Sequence, residues 1–203
     1  MTEAAATEPA VTEAAGDPAG SPSLVRDSKF LSSVLRHNPG KIGVELDSAG
    51  WIEVEVLLAA MRRAGRRISR GRLDLVVEHN SKKRFEYDAS GTRIRASQGH
   101  SVPVDLGYEP LVPPETLYHG TATSSLDSIF REGLRPGRRH HVHLSAEVET
   151  ATKVGARHGK PAVLLVAAAR MHADGCEFFR STNGVWLTEH VAPAYLTFGP
   201  AAS

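Results

Sequence analysis

The segment Arg138-Arg139-His140-His141-Val142-His143-Leu144-Ser145 holds the densest set of chemically able side chains in the chain. Read as a strand, it places His141 and His143 on one face and His140 and Val142 on the other. A His-x-His pair can bind zinc, but zinc needs three or four ligands, and the adjacent arginines repel a cation. Anion binding fits better, because arginine stays charged and its planar fork matches phosphate oxygens. No metal is therefore expected. Two further cationic groups are candidates, each with a plain structural use as well. Arg36-His37 closes a helical pattern, where it can satisfy the last carbonyls and the helix dipole for roughly 0.3–1 kcal/mol. Arg84 ends the run Lys82-Lys83-Arg84, which can equally be a solvated charge run.

Tyr118-His119-Gly120-Thr121 forms a second cluster. A strand ending in a small residue and a hydroxyl suits close backbone approach to a ligand, with Gly120 removing the side-chain obstacle. An ordinary strand-to-helix turn capped by Thr121 or Thr123 explains the same residues. Asn183-Gly184-Val185-Trp186-Leu187-Thr188 reads as a turn feeding a strand, with Trp186 in the core. Several chemistries lack their motifs. There is no GxxxxGK[ST], no GxGxxG, no serine nucleophile elbow, and no Asp/Glu cluster with metal-ligand spacing. The single cysteine, Cys176, makes neither an internal disulfide nor a CxxC motif.

The elements that must position these groups can be read from the same pattern. Hydrophobic content of 41% with 23% charged residues is that of a globular protein. The longest apolar run, Ala162 to Ala169, has the length of a buried strand and is far short of the roughly 20 residues that span a bilayer. No basic start and apolar core mark a secretory signal, so a cytoplasmic protein with no membrane partner is expected. Residues 1–23 carry four acids and no Lys or Arg, lack large hydrophobics, and read as a disordered tail. Residues 24–100 carry fifteen Lys/Arg against nine Asp/Glu, an excess that suits a polyanion as well as a solvated basic face.

Residues 24–97 read as three helices and a hairpin. Asp27 or Ser28 is the expected cap of a first helix with Phe30, Leu31, Val34 and Leu35 on its apolar face. Trp51-Ile52 leads into a second helix, through Val56, Leu57, Leu58 and Met61, stopped by Gly65. Ser69 caps a third, with Leu73, Val76 and Val77 inward. In the hairpin, alternation puts Phe85, Tyr87 and Ile94 on one face and Arg84, Arg93 and Arg95 on the other. Three helices and a basic hairpin predict a winged-helix domain, a helix-turn-helix relative. Residues 98–113, rich in Gly and Pro, read as a linker. From residue 114 to 200 short strands alternate with helical stretches, which completes an α+β chain.

In order, Leu35-Arg36-His37, Gly50-Trp51-Ile52, Lys83-Arg84-Phe85, Tyr118-His119-Gly120-Thr121, Arg139 to Ser145 and Asn183 to Thr188 resemble the motifs of the KptA family of RNA 2′-phosphotransferases. The resemblance runs from about residue 27 to 197. It implies a winged-helix RNA-binding lobe followed by an ADP-ribosyltransferase-like lobe with a mixed β-sheet, which binds NAD without a Rossmann fingerprint. It also implies a reaction on RNA carrying an internal 2′-phosphate, as at a tRNA splice junction. The 2′-phosphate attacks the C1″ carbon of NAD and expels nicotinamide. The ribose 2″-hydroxyl of the ADP-ribosylated phosphate then attacks phosphorus, releasing ADP-ribose 1″,2″-cyclic phosphate. Carried over by motif, the catalytic set is Arg36, His37, Arg84 and Arg139. The NAD-binding set is His119, Gly120, Thr121, His143, Ser145 and Val185, with Arg157 placed to reach the pyrophosphate or simply the solvent. Two rival functions share parts of this pattern: an ADP-ribosyltransferase that caps phosphorylated RNA or DNA ends, and a non-enzymatic winged-helix regulator.

Overall fold

Leu31, Val34 and Leu35 recur at helical spacing, and all three are fully buried in α1 (Pro22–Arg36). The structure is a computed structural model that describes residues 21–199. Residues 1–20 of the expected tail lie outside the described residues, but Pro22 and Ser23 are already helical. The helix starts earlier than Asp27 or Ser28 because Pro22 in the first turn brings a preset φ and lacks only an N–H that would go unpaired there anyway. Asp27 and Ser28 act across the fold: Asp27 accepts from Arg72 Nε at 2.7 Å and Ser28 Oγ from Asn80 Nδ2 at 2.9 Å.

Helix α2 (Val54–Arg63) buries Leu57, Leu58 and Met61, leaves Val56 exposed, and is followed by Gly65 at φ 77°. Helix α3 (Arg70–Glu78) is capped as expected, with Ser69 Oγ accepting from the Arg72 N–H at 3.2 Å. Strands β1 (Ile52–Glu53), β2 (Phe85–Tyr87) and β3 (Arg93–Ala96) form an antiparallel sheet in the order β1-β3-β2. Its inner side chains, Phe85 and Ile94, close a first core with the three helices, and Tyr87 packs against it.

The second core gathers Leu117, Leu144, Leu164, Val166, Met171, Phe178 and Val191 among others. Strands β4 (Leu117–Ala122), β6 (Pro161–Val166) and β9 (Leu196–Phe198) make one sheet in the order β4-β6-β9. Strands β5 (Val142–Leu144), β8 (Trp186–Thr188) and β7 (Phe179–Arg180) make another in the order β5-β8-β7. Backbone bonds between Tyr118 and Ser145 tie the two together, 2.8 Å in each direction. The expected mixed sheet is not observed, since every strand pair among the described residues is antiparallel. Parallel pairing needs each crossover to return the chain to the same end of the sheet, and here each paired strand re-enters from the opposite end.

Gly120 and Thr121 continue β4 and do not form a turn. A Cβ on Gly120 would lie 1.7 Å from the Ala151 carbonyl oxygen, so its bare backbone is filled by α5 (Val148–Gly155). Gly155 meets Thr121 O in the same way, at 2.6 Å. Helices α4 (Leu126–Glu132) and α6 (Ala168–Ala173) pack beside this sheet, and α4 is stopped by Gly133 at φ 81°. Helix α6 and strand β7 were not anticipated, because α6 begins inside the apolar run Ala162 to Ala169, which reads as one strand, and β7 is only two residues long.

Residues 98–113 contain no helix or strand, yet they are pinned to both cores. The Ser101 N–H donates to Arg36 O at 2.8 Å, Asp105 N–H to Ser48 O at 2.7 Å, and Leu111 N–H to Phe178 O at 2.7 Å. This stretch fixes how the two cores face each other. That is what the site requires.

Candidate active site

The basic excess of residues 24–100 sorts into two groups once ion pairs are followed. Arg70 pairs with Asp74, Arg72 with Asp27, Arg93 with Asp88 and Arg95 with Glu86. Arg95 also lies over the Trp51 ring, 4.4 Å from its centroid. The outer face of the hairpin, expected to be basic, is thus largely neutralised within the fold. Among the described residues no carboxylate pairs with Arg36, Arg84 or Arg139. Arg36 is buried and Arg84 half-buried; a buried cation without a counterion is costly, so its retention points to an anionic ligand.

Two of these cations, Arg36 and Arg139, meet at Gly99, and Arg84 adjoins Arg36. A Cβ there would lie 3.5 Å from His143 Cε1, 3.8 Å from Arg36 Nη1 and 3.9 Å from Arg139 Nε. Gly99 has φ 85°, so the chain needs a glycine there for the bend. Arg36 is buried, with its Nε unpartnered and Nη2 donating weakly to Arg84 O at 3.4 Å. Burial first, then the charges of Arg84 and Arg139, push its pKa down to about 10. Burial likewise lowers the pKa of Arg84, with help from Arg157, and that of Arg139.

Arg84 is aimed by its neighbours. Its Nη1 donates to Asn80 Oδ1 at 3.0 Å, and Asn80 is itself buried and anchored to Ser28. Lys83 has φ 40°, uncommon for a residue with a side chain, and is held there by bonds on either side. Its N–H donates to Asn80 O at 2.7 Å, and its carbonyl accepts from Ser97 Oγ at 2.9 Å. From the second core, Asn183 Nδ2 donates to Lys82 O at 2.9 Å, which ties the Asn183 to Thr188 motif to the arginine run.

The histidines have readable protonation states. Arg139 Nη1 lies 2.9 Å from His143 Nδ1, and a guanidinium can only donate, so Nδ1 carries a lone pair and the proton is on Nε2. Burial, reinforced by Arg139 and Arg36, brings His143 down to about 3, in agreement with a neutral ring. His119 Nδ1 lies 3.2 Å from the His143 carbonyl, which can only accept, so His119 keeps Nδ1–H and leaves Nε2 bare. Its pKa is also lowered by burial. His37 Nδ1 lies 3.0 Å from Ser101 Oγ, and burial followed by Arg36 and Arg139 lowers its pKa.

Two grooves of ≈ 510 Å³ each adjoin these residues. One runs between α1 and α3 past Ser28, Arg36, His37, Asn80 and Arg84. The other is lined by His119, Gly120, Thr121, Arg139, His143 and His158. Arg36, His37, Arg84 and Arg139 are therefore brought together, and His119, Gly120, Thr121 and His143 line one cavity. Ser145 and Val185 lie outside that lining. The Ser145 backbone joins the two sheets, and the Val185 backbone is bonded to Ser181. Arg157 is exposed, and among the described residues its side chain makes no hydrogen bond, though its charge reaches Lys82 and Arg84. Gly99, His100, Ser101 and Asn80 were not anticipated, because Gln98-Gly99-His100-Ser101 has the composition of a linker and Asn80 that of a helix stop. No cluster of three or more His, Cys, Asp or Glu among the described residues could hold a metal ion. No described helix is long and apolar enough to cross a membrane.

Fold and site together define an α+β protein that concentrates unpaired arginines and neutral histidines where two cores meet. The chain belongs to the RNA 2′-phosphotransferase, Tpt1 / KptA family, which it matches over residues 22–190. It is 55% identical over 176 residues to a protein of Agrobacterium fabrum named "Probable RNA 2′-phosphotransferase", covering 87% of this chain and 95% of that one. Proteins of the same name from Streptomyces coelicolor and Nostoc punctiforme are 54% and 53% identical, over 86% and 85% of this chain and 94% and 96% of their own lengths.

Proposed function

We propose that this protein is an NAD-dependent RNA 2′-phosphotransferase that removes an internal 2′-phosphate from RNA, with a splice-junction tRNA as the fitting substrate. The observation that carries the reading is the gathering of Arg36, Arg84 and Arg139, none paired with a carboxylate among the described residues, beside His37, whose pKa is lowered. A phosphate dianion supplies the missing countercharge and accepts from the guanidinium forks. Residues 24–97 act as a winged-helix RNA-binding lobe, residues 98–113 as the connection, and residues 114–200 as an ADP-ribosyltransferase-like lobe. The α1–α3 groove takes the RNA side, and the His119 to His143 cavity takes NAD, its volume lying in the range of small-ligand sites.

NAD supplies an electrophilic ribose carbon with nicotinamide as leaving group. The chain's own groups do the rest. Arg36, Arg84 and Arg139 hold the 2′-phosphate in line and spread the charge that builds on phosphorus, through dipoles and charges set before reaction. The bare His119 Nε2 accepts from a ribose hydroxyl, and Thr121 bonds the nicotinamide side. His37 exchanges a proton with the oxygens that enter and leave phosphorus. Ser145, Val185 and Arg157 complete the NAD side as the family resemblance implies, through backbone order at the first two and through charge at the third.

The test is incubation of the protein with NAD and an oligoribonucleotide carrying one internal 2′-phosphate. Loss of that phosphate with release of nicotinamide and ADP-ribose 1″,2″-cyclic phosphate is expected. A stable ADP-ribosylated RNA would instead assign an end-capping type of transferase, and no NAD consumption would remove both enzyme readings. Arg139→Ala and His37→Ala should each lower turnover by about 10²–10⁴-fold with the circular dichroism unchanged.

A further inference from the structure

Ser101 touches the site twice. Its N–H donates to Arg36 O at 2.8 Å, and its Oγ lies 3.0 Å from His37 Nδ1. It thereby grips the end of α1 at the two adjacent residues that matter, from a segment whose neighbour Gly99 faces Arg36, Arg139 and His143. Among the described residues neither the Ser101 hydroxyl nor the His37 ring has another hydrogen-bond partner, so the pair is exclusive. The cavity with a buried, unpartnered His100 lies beside the same segment.

A serine hydroxyl can donate to Nδ1 or accept from it, and the surroundings select between the two. Arginine only donates, so a phosphate held by Arg36, Arg84 and Arg139 already has donors in excess. What the phosphate side of the site lacks is a base. A lone pair on Nε2 supplies one, and it requires the ring proton on Nδ1, facing an acceptor. Arg36 and Arg139 act on the ring as positive charges, which favour its neutral form over the protonated one.

We propose that Ser101 is the positioning residue for His37: its Oγ accepts from Nδ1–H, holds the neutral ring in that tautomer, and leaves Nε2 bare to take a proton from the attacking hydroxyl. His119 uses the same arrangement, its Nδ1–H donating to the His143 carbonyl. The lowered pKa of His37, caused by burial, Arg36 and Arg139, agrees with a ring that is neutral before reaction. When the ring takes its second proton, Ser101 Oγ still accepts from Nδ1–H, so no rearrangement is needed.

The inference rests on the proposed phosphotransfer, and its test reads the pair separately from the reaction. Nitrogen-15 NMR of the full chain, labelled in histidine, should show His37 with its proton on Nδ1 at pH 7.5. In Ser101→Ala the Nε2–H form should gain population. Steady-state rates with NAD and the 2′-phosphorylated oligonucleotide should show kcat lowered by roughly 10- to 100-fold, with KM for both substrates within about twofold, as expected for lost orientation. Ser101→Thr keeps the hydroxyl and the backbone N–H and should recover most of kcat. An unchanged tautomer, an unchanged kcat, or no recovery in Ser101→Thr overturns the assignment. Should the unaltered protein transfer no 2′-phosphate at all, the functional reading falls, and the NMR comparison still decides the Ser101–His37 pair.

Discussion

At the scale of single residues, the distinction that matters is between arginines that the fold has paired and arginines that it has not. Arg93 and Arg95 are close to carboxylates, and Arg95 covers Trp51; they complete a surface. Arg36, Arg84 and Arg139 crowd one another instead, and the pKa values of His37 and His143 beside them are lowered by burial first and by the arginine charges second. This has a consequence for stability. His100 and His143 are held down at about 4 and about 3, chiefly by burial, whereas the unfolded chain titrates near 6.5. The unfolded state therefore takes up protons first as the pH drops, and the stability present above pH 6.5 is lost as pH falls toward 4. The loss is on the order of 1.4 kcal/mol per pH unit per histidine. Urea denaturation should give a clearly lower unfolding free energy at pH 5 than at pH 7, a window above the range where Asp74 and Asp88, whose pKa values are lowered, titrate. Equal stability at the two pH values would contradict the burial assigned to these rings.

At the scale of elements, strand β4 and helix α5 approach backbone to backbone. Gly120 was expected to clear space for a ligand. It clears space for Ala151 O, and it contributes to the cavity only as part of a strand held at the right depth. Gly120→Ala cannot be absorbed by a side-chain rotation, since the clashing atom is a carbonyl oxygen inside a helix. A destabilisation of about 3 kcal/mol or more is expected, at the upper end of the overpacking range, read as a drop in the thermal midpoint. A midpoint within a degree of the parent would mean that α5 moves freely relative to β4. The α1 terminus shows the reverse pattern. Arg36 and His37 do sit where a helix end favours cations, yet they are used by the segment at residues 99–101 and by Arg84.

At the scale of the molecule, the site exists because residues 98–113 and the Asn183–Lys82 bond hold two cores face to face. The repulsion among its cations should be relieved by any compact dianion. Inorganic phosphate at millimolar concentration, compared with sodium chloride at the same ionic strength, should raise the thermal midpoint by a few degrees, following the binding linkage for a ligand of the folded state. Arg139→Ala should lose most of that increment. An equal shift with chloride would show that only general screening is at work. RNA affinity should also fall with rising salt, as phosphate contacts by Lys and Arg require.

Much of this was legible along the chain. Periodicity located α1, α2, α3, the hairpin and most later strands, because a face that must be buried repeats at the pitch of its element. Ordered motifs were enough to bring Arg36, His37, Arg84, Arg139, His119 and His143 into one proposed site. The composition of residues 98–101 gave no such sign, since Gly99 and Ser101 act through position and not through unusual chemistry. Nor could the sequence separate the paired arginines from the unpaired ones, or place Gly120 under a carbonyl. By itself the sequence determined most of the elements, the family and the reactive residue types, because these depend on local spacing and identity. Which charges are left without a partner, which histidines stay neutral and which glycine makes room for what were decided only by tertiary structure, because burial and counterion distance are set by residues far apart in the chain.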